Sequence, residues 1–239
     1  MNIWNPWQGC KKISEGCKNC PAVKSFVIYY GNRANICKTP SFALPLKTDN
    51  CGNFLLSPQN GEVKVLTNSD FFIEKADEMR TSCWRMMKER WDLHFDIATR
   101  RVGNIAEMLP PDWGDGYENV SITALLETQK AADESLPEFM RQPVKHRRIS
   151  FEPLLERVDI SKYLDNTTEL VKVMGSFGMS KTALNYEWVT CLRSQCIEAE
   201  VPFWFGSTGE NFEKDGALYR IKKGFCYIQA QKAGLNHMC

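Results

Sequence analysis

Short apolar segments rich in β-branched residues alternate with longer amphipathic segments along most of the chain. Residues 63–67 predict a strand, and the apolar positions between residues 73 and 90 recur at helical spacing. The same alternation continues to residue 205 and is typical of parallel strands joined by crossover helices. Further strands are predicted over residues 93–98, 119–125, 146–151, 170–174 and 201–205, and further helices over residues 102–108, 128–141 and 185–199.

This alternation predicts an α/β fold with a single (βα) barrel, complete or partial, although periodicity alone does not separate a barrel from an open sheet. We expect residues 1–239 to form one domain. Residues 29–61 lack a period and are rich in glycine and proline, so they predict an irregular insertion. The polar residues 210–239 predict a C-terminal extension that forms a short helix or a hairpin.

The overall charge gives no general attraction to nucleic acid or an anionic membrane, although a local basic patch remains open, and hydropathy argues against a membrane span. Thirty basic residues stand against 29 acidic ones, so the net charge of +1 creates no global field for nucleic acid or an anionic membrane. No apolar run approaches the roughly 20 residues that a membrane span needs. The N-terminal residues show no charged and apolar leader pattern. We therefore expect a cytoplasmic protein with no membrane partner.

Three of the ten cysteines, Cys10, Cys17 and Cys20, lie close together near the N-terminus. Thiolates on one short segment indicate a metal site. Structural sites normally close with four ligands, whereas three ligands leave one position open to a substrate or cofactor, which suggests catalysis. The alternative is a zinc site whose fourth ligand is Cys37, Cys51 or a histidine.

Polar residues follow each predicted strand, where the active residues of (βα) barrels collect. Asp70 is either the cap of the following helix or a cofactor contact, and we expect only one of Arg100 and Arg101 to point inward. Glu152 is either functional or paired with a neighbouring arginine, Arg147 or Arg148. The strand-end set comprises Asn68, Ser69, Asp70, Thr99, Arg100, Arg101, Thr123, Glu127, Ser150, Glu152 and the Gly175–Gly178 turn.

The N-terminal motif resembles a phage- and bacterium-borne family of radical S-adenosylmethionine (SAM)-like proteins whose domain has no assigned function. The resemblance is carried by Trp4-Asn-Pro, Gly9-Cys10 and Gly16-Cys17-Lys-Asn-Cys20. It extends through most of the chain. Further similar segments are Asn68-Ser-Asp70, Thr99-Arg100, Ile149-Ser-Phe-Glu-Pro-Leu-Leu155, and residues 188–196 with 201–205.

The resemblance implies that Cys10, Cys17 and Cys20 hold a [4Fe-4S] cluster whose open iron binds SAM. An external donor such as flavodoxin or ferredoxin would supply the electron that splits SAM into methionine and a 5'-deoxyadenosyl radical, which removes hydrogen from the substrate. The substrate stays unidentified, with a nucleotide, nucleic acid or modified base suggested by analogy. Cofactor contacts are expected from Asn68, Ser69, Asp70, Thr99, Thr123, Glu152 and Gly175, and catalytic roles from Glu152 and Arg100.

Two other functions stay open. One is a zinc-binding module that recognises nucleic acid or a partner protein. The other is a barrel that has lost catalysis, because Met174-Gly-Ser-Phe-Gly178 stands where the family usually has Gly-Gly-Glu-Ser-Gly.

Overall fold

A computed structural model describes residues 2–14, 16–20, 35–178 and 182–238. Residues 29–34 of the predicted insertion and Cys239 of the predicted extension lie outside these ranges. The chain divides into two compact units. The first comprises Met1–Ile13, Cys20–Thr123 and Gln142–His146, and the second comprises Ser14–Asn19, Ala124–Arg141 and Arg147–Cys239.

Strands and helices follow one another in a mixed order. The described strands are β1 (Asn2–Trp4), β2 (Trp7–Gln8), β3 (Cys37–Lys38), β4 (Val63–Val65), β5 (Phe95–Thr99), β6 (Val120–Leu126), β7 (His146–Phe151), β8 (Thr168–Met174), β9 (Leu184–Asn185), β10 (Phe203–Ser207), β11 (Asn211–Lys214) and β12 (Ala217–Arg220). The described helices are α1 (Asp77–Glu89), α2 (Ile105–Met108), α3 (Gln129–Phe139), α4 (Tyr186–Glu198) and α5 (Cys226–Lys232).

Seven strands form the main sheet in the order β1-β4-β5-β6-β7-β8-β10, with β6 shared between the two units. In the first unit, β1 pairs in parallel with β4, and β4 pairs in parallel with β5. In the second unit, β8 pairs in parallel with both β7 and β10. The strands keep their chain order, so the sheet has no point at which the winding reverses, as a doubly wound sheet would. This order is compatible with the predicted (βα) barrel in its partial form.

Local sequence signals explain where the longer helices begin. The side chain of Thr128 accepts a hydrogen bond from the backbone N–H of Ala131 (3.2 Å), which caps α3. The side chain of Asn185 accepts one from Glu187 N–H (2.7 Å) and caps α4 in the same way. In α1 the residues Cys83, Trp84, Met86 and Met87 form the buried face, which confirms the helical spacing read from the sequence.

The predicted strands and helices from residue 63 to residue 205 are confirmed, with shifts of a few residues at their ends. Strand β1 is an addition, because Asn2–Trp4 was not predicted as a strand. The C-terminal extension forms both of the structures that were expected as alternatives. Strands β11 and β12 make an antiparallel hairpin, and α5 follows it.

The described part of the predicted insertion, residues 35–61, consists of turns and short elements, as expected. A two-stranded ribbon begins it, with Trp7 opposite Lys38 and Gln8 opposite Cys37. Gly9, which follows the ribbon, has a φ of +97°, and a Cβ there would lie 2.2 Å from the Asn35 carbonyl oxygen. Glycine is therefore required at this position.

No helix in the described ranges has the length and apolar character needed to cross a membrane.

Candidate functional site

The carboxylate of Asp70 is the centre of a buried network at the carboxyl ends of β4 and β5. It accepts hydrogen bonds from the backbone N–H of Phe72 (3.0 Å), the hydroxyl of Thr99 (2.8 Å) and the backbone N–H of Arg100 (3.1 Å). The guanidinium of Arg101 lies 3.0 Å from its second oxygen. Asp70 therefore connects the segment after β4, to which Phe72 belongs, with the end of β5 and the segment that follows it.

Arg101 connects this network to the first cysteine. Its guanidinium donates to the carbonyl oxygen of Lys11 (2.8 Å) and lies 4.0 Å from the Cys10 sulfur. Burial disfavours the charge of Arg101, but Asp70 and Cys10 outweigh that effect and raise the pKa of the guanidinium above its usual value. A permanent cation thus faces the Cys10 thiol, and a cation beside a thiol favours the thiolate that binds metals.

Of the two arginines, Arg101 is the buried one and Arg100 is half-buried. The sequence predicted that one of the pair points inward and assigned the catalytic role to Arg100. Arg101 contacts the cysteine segment. A catalytic role for Arg100 stays a prediction.

Ser69 and Asn68 lie beside the same segment. The Ser69 hydroxyl donates to the carbonyl oxygen of Gly9 (2.5 Å). The side-chain oxygen of Asn68 is buried and accepts no hydrogen bond from any described residue. A buried acceptor is costly to leave unsatisfied, so this oxygen has capacity for one further hydrogen-bond donor. A cofactor contact for Asn68 stays a prediction.

Thr123 belongs to a second polar group on the strands of the first unit. Its hydroxyl donates to Asp96 (2.6 Å), whose other oxygen lies 2.6 Å from the ammonium of Lys64. Desolvation disfavours the charge of Lys64, but the carboxylates of Asp96 and Glu62 outweigh it and raise the pKa of Lys64. Sequence reasoning missed Lys64 and Asp96, although a charged residue inside each apolar strand was a visible signal.

In the second unit, Glu127 holds the turn that carries Cys17. The Ser14 hydroxyl donates to the Glu127 carboxylate (2.6 Å) and lies 3.5 Å from the Cys17 sulfur. A Cβ at Gly16 would lie 2.2 Å from the same carboxylate oxygen. Gly16 therefore allows the backbone to approach Glu127, which is only 1% exposed. The sequence placed Glu127 among the strand ends but gave it no site role.

Glu152 forms a half-exposed polar group with residues of β7 and β8. Its carboxylate lies 2.7 Å from the Lys172 ammonium and accepts a hydrogen bond from the Ser150 hydroxyl (2.7 Å). Lys172 was not among the predicted partners. The side chains of Glu152 and Lys172 are 32% and 27% exposed, so both keep access to solvent.

Gly175 lies where β8 and β10 end. Its N–H donates to the carbonyl oxygen of Ser207 (2.8 Å), and a Cβ there would lie 2.2 Å from the carbonyl oxygen of Thr208. The close approach of two backbones thus explains this glycine. A cofactor contact for Gly175 stays a prediction.

None of the three candidate ligands forms a disulfide with a described residue; Cys17 is buried, and Cys10 and Cys20 are half-buried. Their chemistry fits an iron–sulfur cluster. Within the described ranges, however, no three His, Cys, Asp or Glu side chains lie where they could jointly hold a metal ion. Cys37 and Cys51, the cysteines considered for a zinc site, are exposed. Metal binding by the three thiols thus stays a prediction.

Comparison with known proteins identifies one family. Residues 1–235 match the model of the domain described as a protein of unknown function, DUF5131. No curated protein and no solved structure matches the chain significantly. Since the match covers nearly the whole chain, the protein belongs to the DUF5131 family of unknown function.

Proposed function

We propose that the protein is a radical SAM enzyme in which Cys10, Cys17 and Cys20 bind a [4Fe-4S] cluster. The observation that supports it best is the contact of Arg101 with the cysteine segment. A buried cation, held by Asp70, lies 4.0 Å from the sulfur of Cys10. Such a cation offsets part of the negative charge that three thiolates bring to one site.

Cys10, Cys17 and Cys20 would hold the cluster, and binding it would require their sulfurs to come together, because the described residues form no such ligand group. Metal binding commonly brings ligands together, because thiolates repel one another when no metal is bound. The turn that carries Cys17 has two supports in place, the hydroxyl of Ser14 and the carboxylate of Glu127. These contacts restrict the Cys17 backbone before any metal binds.

When bound, the cluster supplies the electron that cleaves SAM into methionine and the 5'-deoxyadenosyl radical used for hydrogen abstraction, and flavodoxin or ferredoxin would restore that electron. The chain's own residues bind and orient. Asn68 offers its buried, unsatisfied oxygen to an ammonium or hydroxyl group of the cofactor. Ser69, Asp70 and Thr99 fix the backbone beside it.

Glu152 and Arg100 are proposed to act on the substrate. Glu152 keeps solvent access while Lys172 and Ser150 orient its carboxylate. Arg100 is half-buried, and its backbone is anchored on Asp70. For the substrate we propose a nucleotide or a modified base. Thr123 and Gly175 complete the proposed cofactor contacts.

The test is anaerobic reconstitution with iron and sulfide, followed by reduction in the presence of SAM. The proposal expects about four irons per chain, as a [4Fe-4S] cluster contains, and formation of 5'-deoxyadenosine, measured by mass spectrometry. The variants Cys10→Ala, Cys17→Ala and Cys20→Ala should each lose both the iron and the product. The matched controls Cys37→Ala and Cys51→Ala, which change exposed thiols, should lose neither.

Other results would replace the proposal. One equivalent of zinc without iron in anaerobically purified protein would favour the zinc-binding module. A loaded cluster that binds SAM but yields no 5'-deoxyadenosine would reject catalysis and leave the cluster with a structural role.

A further inference from the structure

The C-terminal hairpin and helix expose an unusual mixture of aromatic and basic side chains. Tyr219, Phe225 and Tyr227 are 51%, 54% and 55% exposed. Three basic residues that lie between these aromatic residues in the sequence are also exposed: Arg220, Lys222 and Lys223. We call these six residues the aromatic–basic surface. The six residues lie within nine consecutive positions, and exposed patches of large apolar side chains mark interaction sites.

The charge of this region differs from that of the whole protein. Residues 216–239 contain Arg220, Lys222, Lys223 and Lys232 but no Asp or Glu. The net charge of the whole chain is only +1. Glu213 and Asp215 lie at the turn end of the hairpin, since Glu213 is opposite Leu218. Glu210 lies opposite Ile221, and its carboxylate accepts a hydrogen bond from the backbone N–H of Gly178. The positive charge is therefore local and faces solvent.

Backbone contacts hold the aromatic–basic surface in place. The backbone N–H of Ile221 donates to the Glu210 carbonyl oxygen (2.8 Å), and that of Phe225 donates to the Lys222 carbonyl oxygen (2.8 Å). The buried thiol of Cys226 lies 3.6 Å from the Lys222 carbonyl oxygen. The cations are not engaged elsewhere, because Arg220, Lys222 and Lys223 form no ion pair with a described carboxylate. The backbone of this segment is therefore held in place while its basic and aromatic side chains are exposed to solvent.

We propose that the aromatic–basic surface binds single-stranded nucleic acid. Cations that track a phosphate backbone and rings that stack on unpaired bases are the two elements such binding needs. Both are present here within nine residues, Tyr219 to Tyr227. A membrane surface fits less well, since α5 has only seven residues to offer as an amphipathic helix. This inference concerns a surface outside the proposed cofactor site and does not depend on cleavage of SAM.

The experiment measures fluorescence anisotropy of a labelled oligo(dT) 20-mer titrated with the full chain at 50 and 200 mM KCl. Three or four phosphate contacts predict a salt slope of about −2 to −3, which weakens binding by about 20- to 50-fold between these concentrations. A duplex of the same length should bind more weakly because its bases cannot stack on the rings.

Variants separate the two elements of the surface. Replacing both Lys222 and Lys223 by Ala should flatten the salt slope by about 1.4, the share of two phosphate contacts. Phe225→Ala and Tyr227→Ala should each weaken binding about fivefold or more and leave the slope unchanged. The controls Lys130→Ala and Trp91→Ala change a lysine and an aromatic residue that are 83% and 79% exposed elsewhere, and both should bind like the unaltered protein.

Equal affinity of the surface variants and the controls would overturn the inference. So would binding to vesicles with anionic lipids in the absence of oligonucleotide binding, which would assign the surface to membranes. Concentration-dependent dimers that the Phe225→Ala variant abolishes, again without oligonucleotide binding, would assign it to a second copy of the chain. Since none of these measurements uses SAM, their failure and failure of the proposed enzyme activity are distinguishable.

Discussion

The guanidinium of Arg101 lies 3.0 Å from the carboxylate of Asp70, and only 5% and 7% of the two side chains are exposed. Removing one member of such a pair leaves the other charged and buried. We expect Asp70→Ala to lower the free energy of unfolding by about 3–5 kcal/mol. Urea denaturation followed by circular dichroism measures this loss.

A double-mutant cycle with Arg101→Met separates the ion pair from simple loss of contacts. The double variant should be less destabilised than the sum of the two single variants, because it leaves no unpaired charge. As a control, Asp112→Asn removes a carboxylate that pairs with Lys88 at the surface and should change the urea midpoint little. Additive effects of Asp70→Ala and Arg101→Met would contradict the coupling.

Gly175 should tolerate no side chain. In Gly175→Ala the new methyl group would meet the Thr208 carbonyl oxygen at 2.2 Å, so backbone has to move. We expect a loss of about 1–3 kcal/mol, typical of overpacking. The matched control is Gly103→Ala, since a Cβ there meets nothing within 4 Å. If both variants unfold at the same urea concentration, the close approach is not as described.

Lys64 makes the stability of the first unit depend on pH in the alkaline range. Desolvation opposes its charge, but Asp96 and Glu62 raise the pKa of Lys64 above its usual value. A raised pKa means that the stabilisation is complete below about pH 10.5 and is lost as the pH rises through the pKa of the folded state.

The comparison of unaltered protein with Lys64→Met between pH 8 and pH 12 tests this. The difference in their unfolding free energies should be constant at the lower pH values and shrink above about pH 10.5. If the difference in unfolding free energy instead became smaller between pH 9 and pH 8, the carboxylates would not be stabilising the charged form of Lys64.

The cysteines outside the proposed site should differ widely in reactivity. Burial raises the pKa of the Cys83 thiol, and the opposing effects of Arg80 and Lys38 are smaller. Cys51, by contrast, is exposed. Iodoacetamide at pH 8.5 should therefore alkylate Cys51 in the folded protein and Cys83 only after unfolding in urea. Peptide mapping by mass spectrometry measures both rates, and equal rates before unfolding would refute the expected burial.

Periodicity was enough to predict the strands and helices between residues 63 and 205, because each alternates apolar and polar positions at its own spacing. Strand β1 escaped prediction since three residues are too few to show a period. The hairpin of β11 and β12 was predicted only as an alternative to a short helix. Every residue of β12 is exposed, so its sequence shows no alternation of buried and exposed positions.

Some contacts among the strand-end residues could be predicted from the sequence, and others could not. Residues at the strand ends, such as Asp70 and Thr99, do meet in the structure. The choice of Arg101 over Arg100 depends on which side chain the backbone turns inward, and a one-residue shift reverses it. Long-range partners such as Lys64 with Asp96 or Ser14 with Glu127 depend on pairing between segments far apart in the chain.

The ribbon of β2 and β3 has a consequence for ligand affinity. Gln8 and Cys37 are opposite each other, and Gly9 packs against Asn35, so both ends of the intervening stretch are clamped together at its base. Closing a long loop carries an entropic cost that grows with its length. Here that cost is met during folding, so under the proposed function a ligand of Cys10 would meet a segment whose two stems are already joined.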